Sequence, residues 1–415
     1  MRLWLIPMSY AMGSIVCSLA LPRLEHAYFS SYTFNLSVAS VQAYLSAVAS
    51  GMMVLTGIVF SIAFVVVQFS AIAYSPRLVL WFAKDPTLFH SLGVFVGTFT
   101  YSLTTLLWVD RGGSGTVPLF SSVLVAIMLV LSVLLFARLI QRVNDLQITN
   151  VLRTVGGRGR QVIREMFRRL DERTDLTGEA VAGELGPVTQ TLRYSGEPRA
   201  IASIDIGDLV RQAAKADAVI KMAYAVGDTL VDGDAILRVH GAKAPLPEDR
   251  LMRAIHLAVD RTFEQDPKYP IRLLVDIAIK ALSPAINDPT TAVQAIDQIE
   301  DLLHRLGRRD LDAGYARDVD GVLRFAYPMP TWEDYLMLAF DEIRQYGAGS
   351  VQVLRRLRSA LTGVRERLTD PDRIAVMHAY LKHLDLVIDR SSLDAEDKVR
   401  AHHEDRQGLG LTRKA

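Results

Sequence analysis

Met52-Met-Val-Leu-Thr-Gly-Ile-Val-Phe-Ser-Ile-Ala-Phe-Val-Val-Val-Gln-Phe-Ser-Ala-Ile-Ala73 decides the fold of this chain. It is a run of 22 residues without a formal charge, and a helix needs about 20 apolar residues to cross the hydrocarbon core of a bilayer. The charge-free stretch around it is longer still. Nothing ionised stands between His26 and Arg77, a gap of 50 residues from Ala27 to Pro76. In soluble domains about a quarter of residues are charged, so the run places this part of the chain in a membrane. Its first part, Ala27 to Gly51, is rich in Ser, Tyr and Asn and reads as an outer loop with an interfacial or extended helix leading into the span.

Working outward, residues 1 to 137 hold only eight formal charges, although the whole chain has 91 and a net charge of +1. Three more apolar stretches flank the first: Leu3 to Pro22, Leu88 to Val109 and Leu119 to Phe136. For Leu3 to Pro22 a signal peptide is the alternative reading, but no small-residue cleavage pattern follows cleanly. Lys and Arg near span ends set orientation. Arg77 and Lys84 lie between the second and third stretches, and Arg138, Arg142, Arg153 and Arg158 open a basic run after the fourth. Both places are expected to face the cytoplasm, with both termini inside a bacterial inner membrane. Arg77, Arg138 and Arg142 are then the membrane-interface residues. The single cysteine, Cys17, excludes a disulfide framework.

The spans are mild in chemistry. Gly93 and Gly97, like Gly57 and Ser61, have the spacing that lets helices approach closely, within one subunit or across a dimer. Thr98, Thr100, Ser102, Thr104 and Thr105 form a hydroxyl stripe. Such hydroxyls often bond back to their own helix; the functional alternative is a pore lining, with Gln68, Thr98 and Thr105 as its candidates. No Asp, Glu, Lys or His lies deep in a span, which weighs against ion-coupled transport more than against a passive pore.

About 280 residues remain for the cytoplasm. Val155 to Leu170 reads as a basic amphipathic helix, either packed on its own domain as a stalk or lying on anionic lipid. Stretches Val188–Tyr194 and Ala200–Asp205 alternate like strands, and Ile206 to Ala216 reads as a short helix. Gly227-Asp228 and Gly233-Asp234 are turn dipeptides between apolar strands. Their spacing resembles the barrel-sandwich hairpin of biotinyl and lipoyl carriers, with Lys243 in the acceptor position but without the Met-rich tip. From Pro247 the pattern is helical, with Leu251, Ala254, Ile255 and Ala258 in one stripe. Ile271 to Leu282 is apolar nearly all round and therefore buried, with Arg272, Asp276 and Lys280 able to pair along one edge. Leu311 to Pro328 reads as a short hairpin. Trp332–Ile343, Val351–Leu368 and Ile374–Ile388 read as amphipathic helices, and the charged tail from Ser391 as frayed.

The most distinctive local sequence is Ala281-Leu-Ser-Pro-Ala-Ile-Asn-Asp-Pro-Thr-Thr-Ala292. Asp288 can cap a helix whose first residue is Pro289. Either this is a well-capped connector, or Ser283, Asn287, Asp288 and Thr291 form a ligand or ion site at the helix N-terminus. Walker A, His-Glu-x-x-His, Gly-x-Ser-x-Gly and paired-cysteine signatures are missing, which leans away from an enzyme. His402-His403-Glu404-Asp405 reads as a solvated face rather than a metal cluster.

Leu55-Thr-Gly-Ile-Val-Phe-Ser-Ile-Ala63, Tyr74-Ser-Pro-Arg-Leu78, Leu92-Gly-Val-Phe-Val-Gly-Thr-Phe99, Glu264-Gln-Asp266, Ala281 to Ala292 and Arg406-Gln-Gly-Leu-Gly410 together resemble a bacterial family of integral membrane proteins, domain of unknown function 2254. The resemblance runs almost end to end. It implies four membrane helices and a cytoplasmic domain, and brings no activity.

The expected architecture is an α-helical membrane domain of four transmembrane helices, then a mainly α cytoplasmic domain with a small β-rich, barrel-sandwich-like module. Residues 1–142 form the membrane domain, 143–175 the basic juxtamembrane helix, 176–245 the β-rich module and 246–415 the helical domain. The leading functional expectation is a homo-oligomeric passive channel with a cytoplasmic gating domain. The rivals are a membrane-tethered sensor or scaffold, and an enzyme acting on envelope lipids. The expected partners are the bilayer, further copies of the chain and anionic inner-leaflet lipids. No cofactor, metal or nucleic acid is expected.

Overall fold

A computed structural model describes residues 4–28, 37–73, 86–110, 117–144, 147–172 and 185–410. The chain divides into two compact units, Met1–Gln147 and Ile148–Ala415.

The first unit is all helical: α1 (Leu5–Tyr28), α2 (Val38–Ala73), α3 (Pro86–Leu106) and α4 (Leu119–Asn144). α2 has 36 residues, so at 1.5 Å per residue it is about 54 Å long, well beyond a hydrocarbon core of about 30 Å. It begins at Val38, so much of the polar segment before Met52 is already helix. Val41, Leu45, Val48, Met52 and Val59 fall on one face of it and join a core with Leu92, Phe95 and Tyr101 of α3 and Val125 of α4.

Three of these helices are long and apolar enough to cross a membrane: Leu5–Glu25, Val38–Val65 and Leu119–Gln141. Of the four spans expected, α3 is the one that does not qualify by composition. The reason is its position. It packs against all three neighbours, so hydroxyls and glycines occupy faces that would otherwise have to be apolar. A Cβ on Gly93 would stand 2.7 Å from the Tyr10 ring, and one on Gly97 would stand 2.8 Å from Ser14 Oγ. The close-approach pair thus packs α3 on α1 within one chain. Thr104 Oγ1 lies 2.5 Å from Ser18 Oγ. The matched pairs rise together in number, so α1 and α3 run parallel. α4 runs antiparallel to α3, with Thr98 opposite Ser132 and Tyr101 beside Ser121.

The second unit is a mixed helix and sheet domain. α5 (Ile148–Met166) opens it and buries Val151, Leu152, Val155, Val162 and Ile163. Then come β1 (Val188–Arg193), β2 (Arg199–Ile204), α6 (Ile206–Lys215), β3 (Val219–Met222), β4 (Thr229–Leu230), β5 (Ala235–His240), α7 (Glu248–Arg253) and β6 (Ile255–Ala258). The helical part holds α8 (Lys268–Ala281), α9 (Pro289–Leu306), α10 (Trp332–Tyr346), α11 (Val351–Arg365), α12 (Pro371–Arg390) and α13 (Ala395–Ala401), with β7 (Tyr315–Arg317) and β8 (Leu323–Ala326) between α9 and α10.

Five strands form one sheet in the order β1-β5-β3-β8-β7, and three form another in the order β4-β2-β6. β3 and β8 are parallel, with Ile220 opposite Phe325. Ile201, Ile204, Ile220, Leu237, Val239 and Phe325 share one core drawn from both sheets. The expected barrel-sandwich hairpin does not form. The turns at Gly227 and Gly233 carry the chain from one sheet to the other, because β4 pairs with β2 and not with β5. Lys243 lies past the end of β5, exposed, and not at a hairpin tip. The helical stripe expected from Leu251 to Ala258 also breaks. α7 stops at Arg253, and β6 pairs with β2, Ile255 opposite Ile204; a short apolar run fits either period, and pairing decides.

α8 is the buried, all-round apolar helix: Ile271, Leu273, Leu274, Val275, Ile277 and Ala278 have no exposed surface. Its charged edge is paired, Arg272 with Asp276 at 2.5 Å and with Glu342 of α10. α5 packs on α8 and α9. Gly159 faces Leu302 and Pro270 there, and Arg160 reaches Asp301 at 3.0 Å. The tail after Ser391 is not frayed up to Gly410. It forms α13 and a loop in which Asp405 accepts from the amides of Gln407, Gly408 and Gly410.

Candidate functional site

The spans of the first unit enclose a polar seam. Ser18 of α1, Ser91, Thr98, Ser102 and Thr105 of α3, and Ser121 and Ser132 of α4 are fully buried. Part of the seam is satisfied locally. Thr98 Oγ1 donates to Val94 O at 2.8 Å and stands 3.2 Å from Ser132 Oγ. Ser132 Oγ donates to Met128 O, and Ser18 Oγ to Ile15 O. These are the back-bonds by which hydroxyls are tolerated in apolar helices.

The rest is satisfied less well. Ser91 and Ser102 have buried hydroxyl oxygens without a hydrogen-bond partner. Tyr101, which is 1 % exposed, has only the Ser121 and Thr105 hydroxyls beside its own, in loose contact. Each unpartnered group costs roughly 1–3 kcal/mol in a protein interior, and buried polar clusters of this kind are where proteins hold water. Tyr101 also lines an open groove of about 400 Å³ with Ser9, Tyr10, Gly13, Ser14, Cys17, Leu124 and Met128, of which Ser9, Tyr10, Gly13 and Cys17 are exposed. That volume lies within the range of small-molecule sites, roughly 300–1,000 Å³.

The ionisable groups stand at the ends. Tyr10 Oη lies 3.2 Å from His90 Nδ1, ring edge to ring face, at one end. At the other, the Arg23 guanidinium sits 5.3 Å over the Trp108 ring and Glu25 Oε1 accepts from Phe120 N at 3.1 Å. Between them the lining holds hydroxyl, thiol and apolar groups only.

Of the pore candidates, the structure puts Thr98 and Thr105 in this seam and leaves Gln68 exposed on α2. Arg77 lies outside the described residues, Arg138 is exposed on α4, and Arg142 stands on α4 with its side chain outside the described set. The seam residues that sequence reasoning passed over are Tyr10, Ser14, Cys17 and Tyr101. A signal existed: Ser9, Gly13 and Cys17 recur at a spacing of four in a stretch read only as a membrane span or signal peptide.

The turn before α9 brings together Ser283, Asn287, Asp288 and Thr291. Asp288 Oδ1 accepts from Thr291 N at 3.1 Å and Oδ2 from Thr291 Oγ1 at 2.5 Å. Ser283 Oγ donates to Lys280 O, and Asn287, at φ 49°, donates its amide to Ser283 O. The capping partnership is therefore complete inside the turn. A second buried polar group lies in the Glu264-Gln265-Asp266 stretch. Asp266 is 1 % exposed; its Oδ1 accepts from Lys268 N, and its Oδ2 has no partner. Burial pushes its carboxyl up, against the pull of Lys268 and Arg261. Tyr335, also fully buried, lies near enough for the Asp266 charge to raise its phenol further. Among the described residues no cluster of three or more His, Cys, Asp or Glu could hold a metal ion.

A family model described as "Predicted membrane protein (DUF2254)" matches residues 1–363. The chain belongs to this family. Uncharacterized proteins of Mycobacterium tuberculosis and Mycobacterium bovis are 25% identical to it over 410 residues, covering 95% of this chain and 78% of theirs. No solved structure matches the chain. As a DUF2254 protein it is a membrane protein, in keeping with the three membrane-length helices, and its relatives bring no activity to the seam.

Proposed function

We propose that this protein is a passive path for small, uncharged polar solutes across the bacterial inner membrane, running along the seam between α1, α3 and α4. The observation that carries the reading is the Tyr101 hydroxyl, buried beside the Ser121 and Thr105 hydroxyls on the wall of an open groove of about 400 Å³. A cluster of hydroxyls in an apolar surround, with bonding capacity to spare, favours an occupant that can bond to it. The uncharged lining favours neutral solutes, because an ion would meet no counter-charge between the ends of the seam.

In this reading α3 is the fourth span. It is parallel to α1 and antiparallel to α4, which returns the chain to the side it started from. The arginines after Phe136 then mark the cytoplasmic side. The path lies within one subunit, so oligomer formation is a separate property and not a condition for passage.

The test is solute flux into proteoliposomes, read by stopped-flow light scattering with glycerol and urea. Wild-type protein is expected to speed entry over protein-free vesicles. Tyr101→Trp, which narrows the groove, is expected to slow it, and Tyr101→Phe to slow glycerol more than urea. Entry no faster than in protein-free vesicles for any neutral solute would end the proposal.

A further inference from the structure

The arginines of α5 fall into two sets. Arg160 turns inward, to Asp301 at 3.0 Å and Gln298 at 3.2 Å on α9. Arg153, Arg158 and Arg164 turn outward and are exposed, as is Arg168 just beyond the helix. At 100° per residue the three helical ones span an arc of about 140°, and the buried apolar side chains take the opposite side. Among the described residues none of these four guanidinium groups has an ion-pair or hydrogen-bond partner, and the bond of Arg168 to Asp310 is a main-chain one. The acids nearby are used: Glu165 accepts from Gln161 at 2.9 Å, and Asp171 pairs with Arg169. Elsewhere in the second unit helix-surface arginines commonly do find carboxylates, as Arg211, Arg253, Arg305 and Arg400 show. Arg250 and Arg390 are bare as well, but each is the one such arginine on its helix, whereas α5 gathers three on one arc.

Chain reach says what it meets. α4 ends at Asn144 and α5 begins at Ile148, with three residues between. Four steps of at most about 3.6 Å let the start of α5 lie no further than about 14 Å from the end of a membrane-length helix. That is less than two Debye lengths at physiological salt, each about 8 Å, so the start of α5 stays in the outer reach of the field by which an anionic leaflet attracts basic side chains. Guanidinium groups suit lipid phosphates because their fork of donors matches two oxygens at once.

We infer that the outward face of α5, formed by Arg153, Arg158 and Arg164 with Arg168, binds the phosphate headgroups of anionic lipids in the leaflet that α4 leaves. The apolar side of α5 is already spent on α8 and α9, so the contact is a surface one, with no insertion into the acyl region. It is salt-sensitive and weakens roughly fivefold for each arginine lost. The inference does not depend on the solute path, and either can fail alone.

The test uses the full-length protein with Cys17→Ser and a spin label on a single cysteine at Gln161, at the middle of the exposed arc. A control label replaces Val319, fully exposed in the β7–β8 turn. Nanodiscs of phosphatidylcholine alone are compared with nanodiscs holding 30 mol% phosphatidylglycerol, roughly the charge of an anionic leaflet. Expected is a severalfold fall in collision with a water-soluble relaxant at position 161 in anionic discs only, none at 319, and reversal by about 1 M salt. The triple change Arg153→Gln, Arg158→Gln, Arg164→Gln is expected to abolish the fall, and the matching triple lysine variant to keep most of it. Equal accessibility in both discs would overturn the inference. So would protection in neutral discs, which would mean packing on protein, or protection by added polyglutamate but not by anionic lipid, which would assign the face to an acidic polypeptide.

Discussion

Gly408 gives the sharpest quantitative expectation in the second unit. Its φ is +65°, and a Cβ built there would stand 2.3 Å from Val293 Cγ1 and 3.5 Å from Val293 Cβ. Gly408→Ala therefore carries two separable costs. The left-handed backbone costs a residue with a Cβ about 1–2 kcal/mol. Forcing a methyl against a β-branched neighbour that cannot rotate freely adds about 1–3 kcal/mol. Val293 is 4 % exposed, and Val293→Ala alone removes two buried methyls, about 2 kcal/mol with some cavity term. In the double variant the new Cβ of residue 408 meets the old Cβ of residue 293 at 3.5 Å and Arg356 Cδ at 3.6 Å, both ordinary contacts. The clash then disappears while the backbone cost stays. The two changes should therefore be less than additive by about 1–3 kcal/mol. The readout must be local, since a two-unit membrane protein has no single unfolding free energy. Hydrogen exchange of the α9 amides in detergent supplies the local opening free energy for all four proteins. Additivity within about 0.5 kcal/mol would refute the contact between the C-terminal loop and the start of α9.

Two further outcomes follow from the same unit. Asp266 has its carboxyl raised by burial, so the folded chain holds this proton more tightly than the unfolded one. Its contribution is greatest below the unfolded value and declines as pH rises toward the raised folded value. Asp266→Asn is expected to remove that decline and to melt at higher temperature than wild type at neutral pH, measured by differential scanning fluorimetry; an unchanged pH slope would contradict it. Asp288→Ala removes the cap of α9 and should raise exchange in its first turn by about 1 kcal/mol, whereas Asp288→Ser, which can still accept from Thr291 N, should recover most of it. Equal losses in both variants would mean that Asp288 acts through something other than the cap.

Much of this architecture was legible because the deciding signals are local. Charge-free length marks α1, α2 and α4, and periodic apolar positions with good caps mark α9 to α12. Ser350 and Asp370, for instance, each cap the helix that follows. What escaped reading depends on partners distant in sequence. β3 becomes a central strand only because β8, about a hundred residues later, lies beside it in parallel. The turns at Gly227 and Gly233 look like hairpin turns until β2 claims β4. The charged tail looks soluble and free until Arg355, 1 % exposed, is seen donating to Gly410 O at 2.8 Å. At the membrane site the hydroxyl stripe of α3 was visible in the sequence, with Thr98 and Thr105 among it. Its counterpart on α1 was marked only by Ser9, Gly13 and Cys17 at a spacing of four, because close approach of two parallel helices leaves no periodic trace beyond the small residues themselves.

The two stretches that stand out most in the second half of the sequence, the turn ending in Thr291 and the loop from Arg406 to Gly410, meet in space through Val293 and Gly408. Around that contact Arg356, 5 % exposed, bonds Asp297 Oδ1 at 2.7 Å and also Glu300, while Gln352 donates to Gly408 O at 2.5 Å. Well-packed apolar side chains would hold such a junction as firmly, since burying an ion pair costs about as much as it returns. Its directional bonds instead admit one register of loop on helix. The distinctive residues of both stretches are thereby accounted for by geometry: Asp288 and Pro289 start α9, Gly408 allows the loop to touch it, and Arg356 fixes where. A ligand at the Asn287 turn would have to compete with Thr291 for both oxygens of Asp288, which makes the clasp, rather than binding, the simpler reason for that sequence.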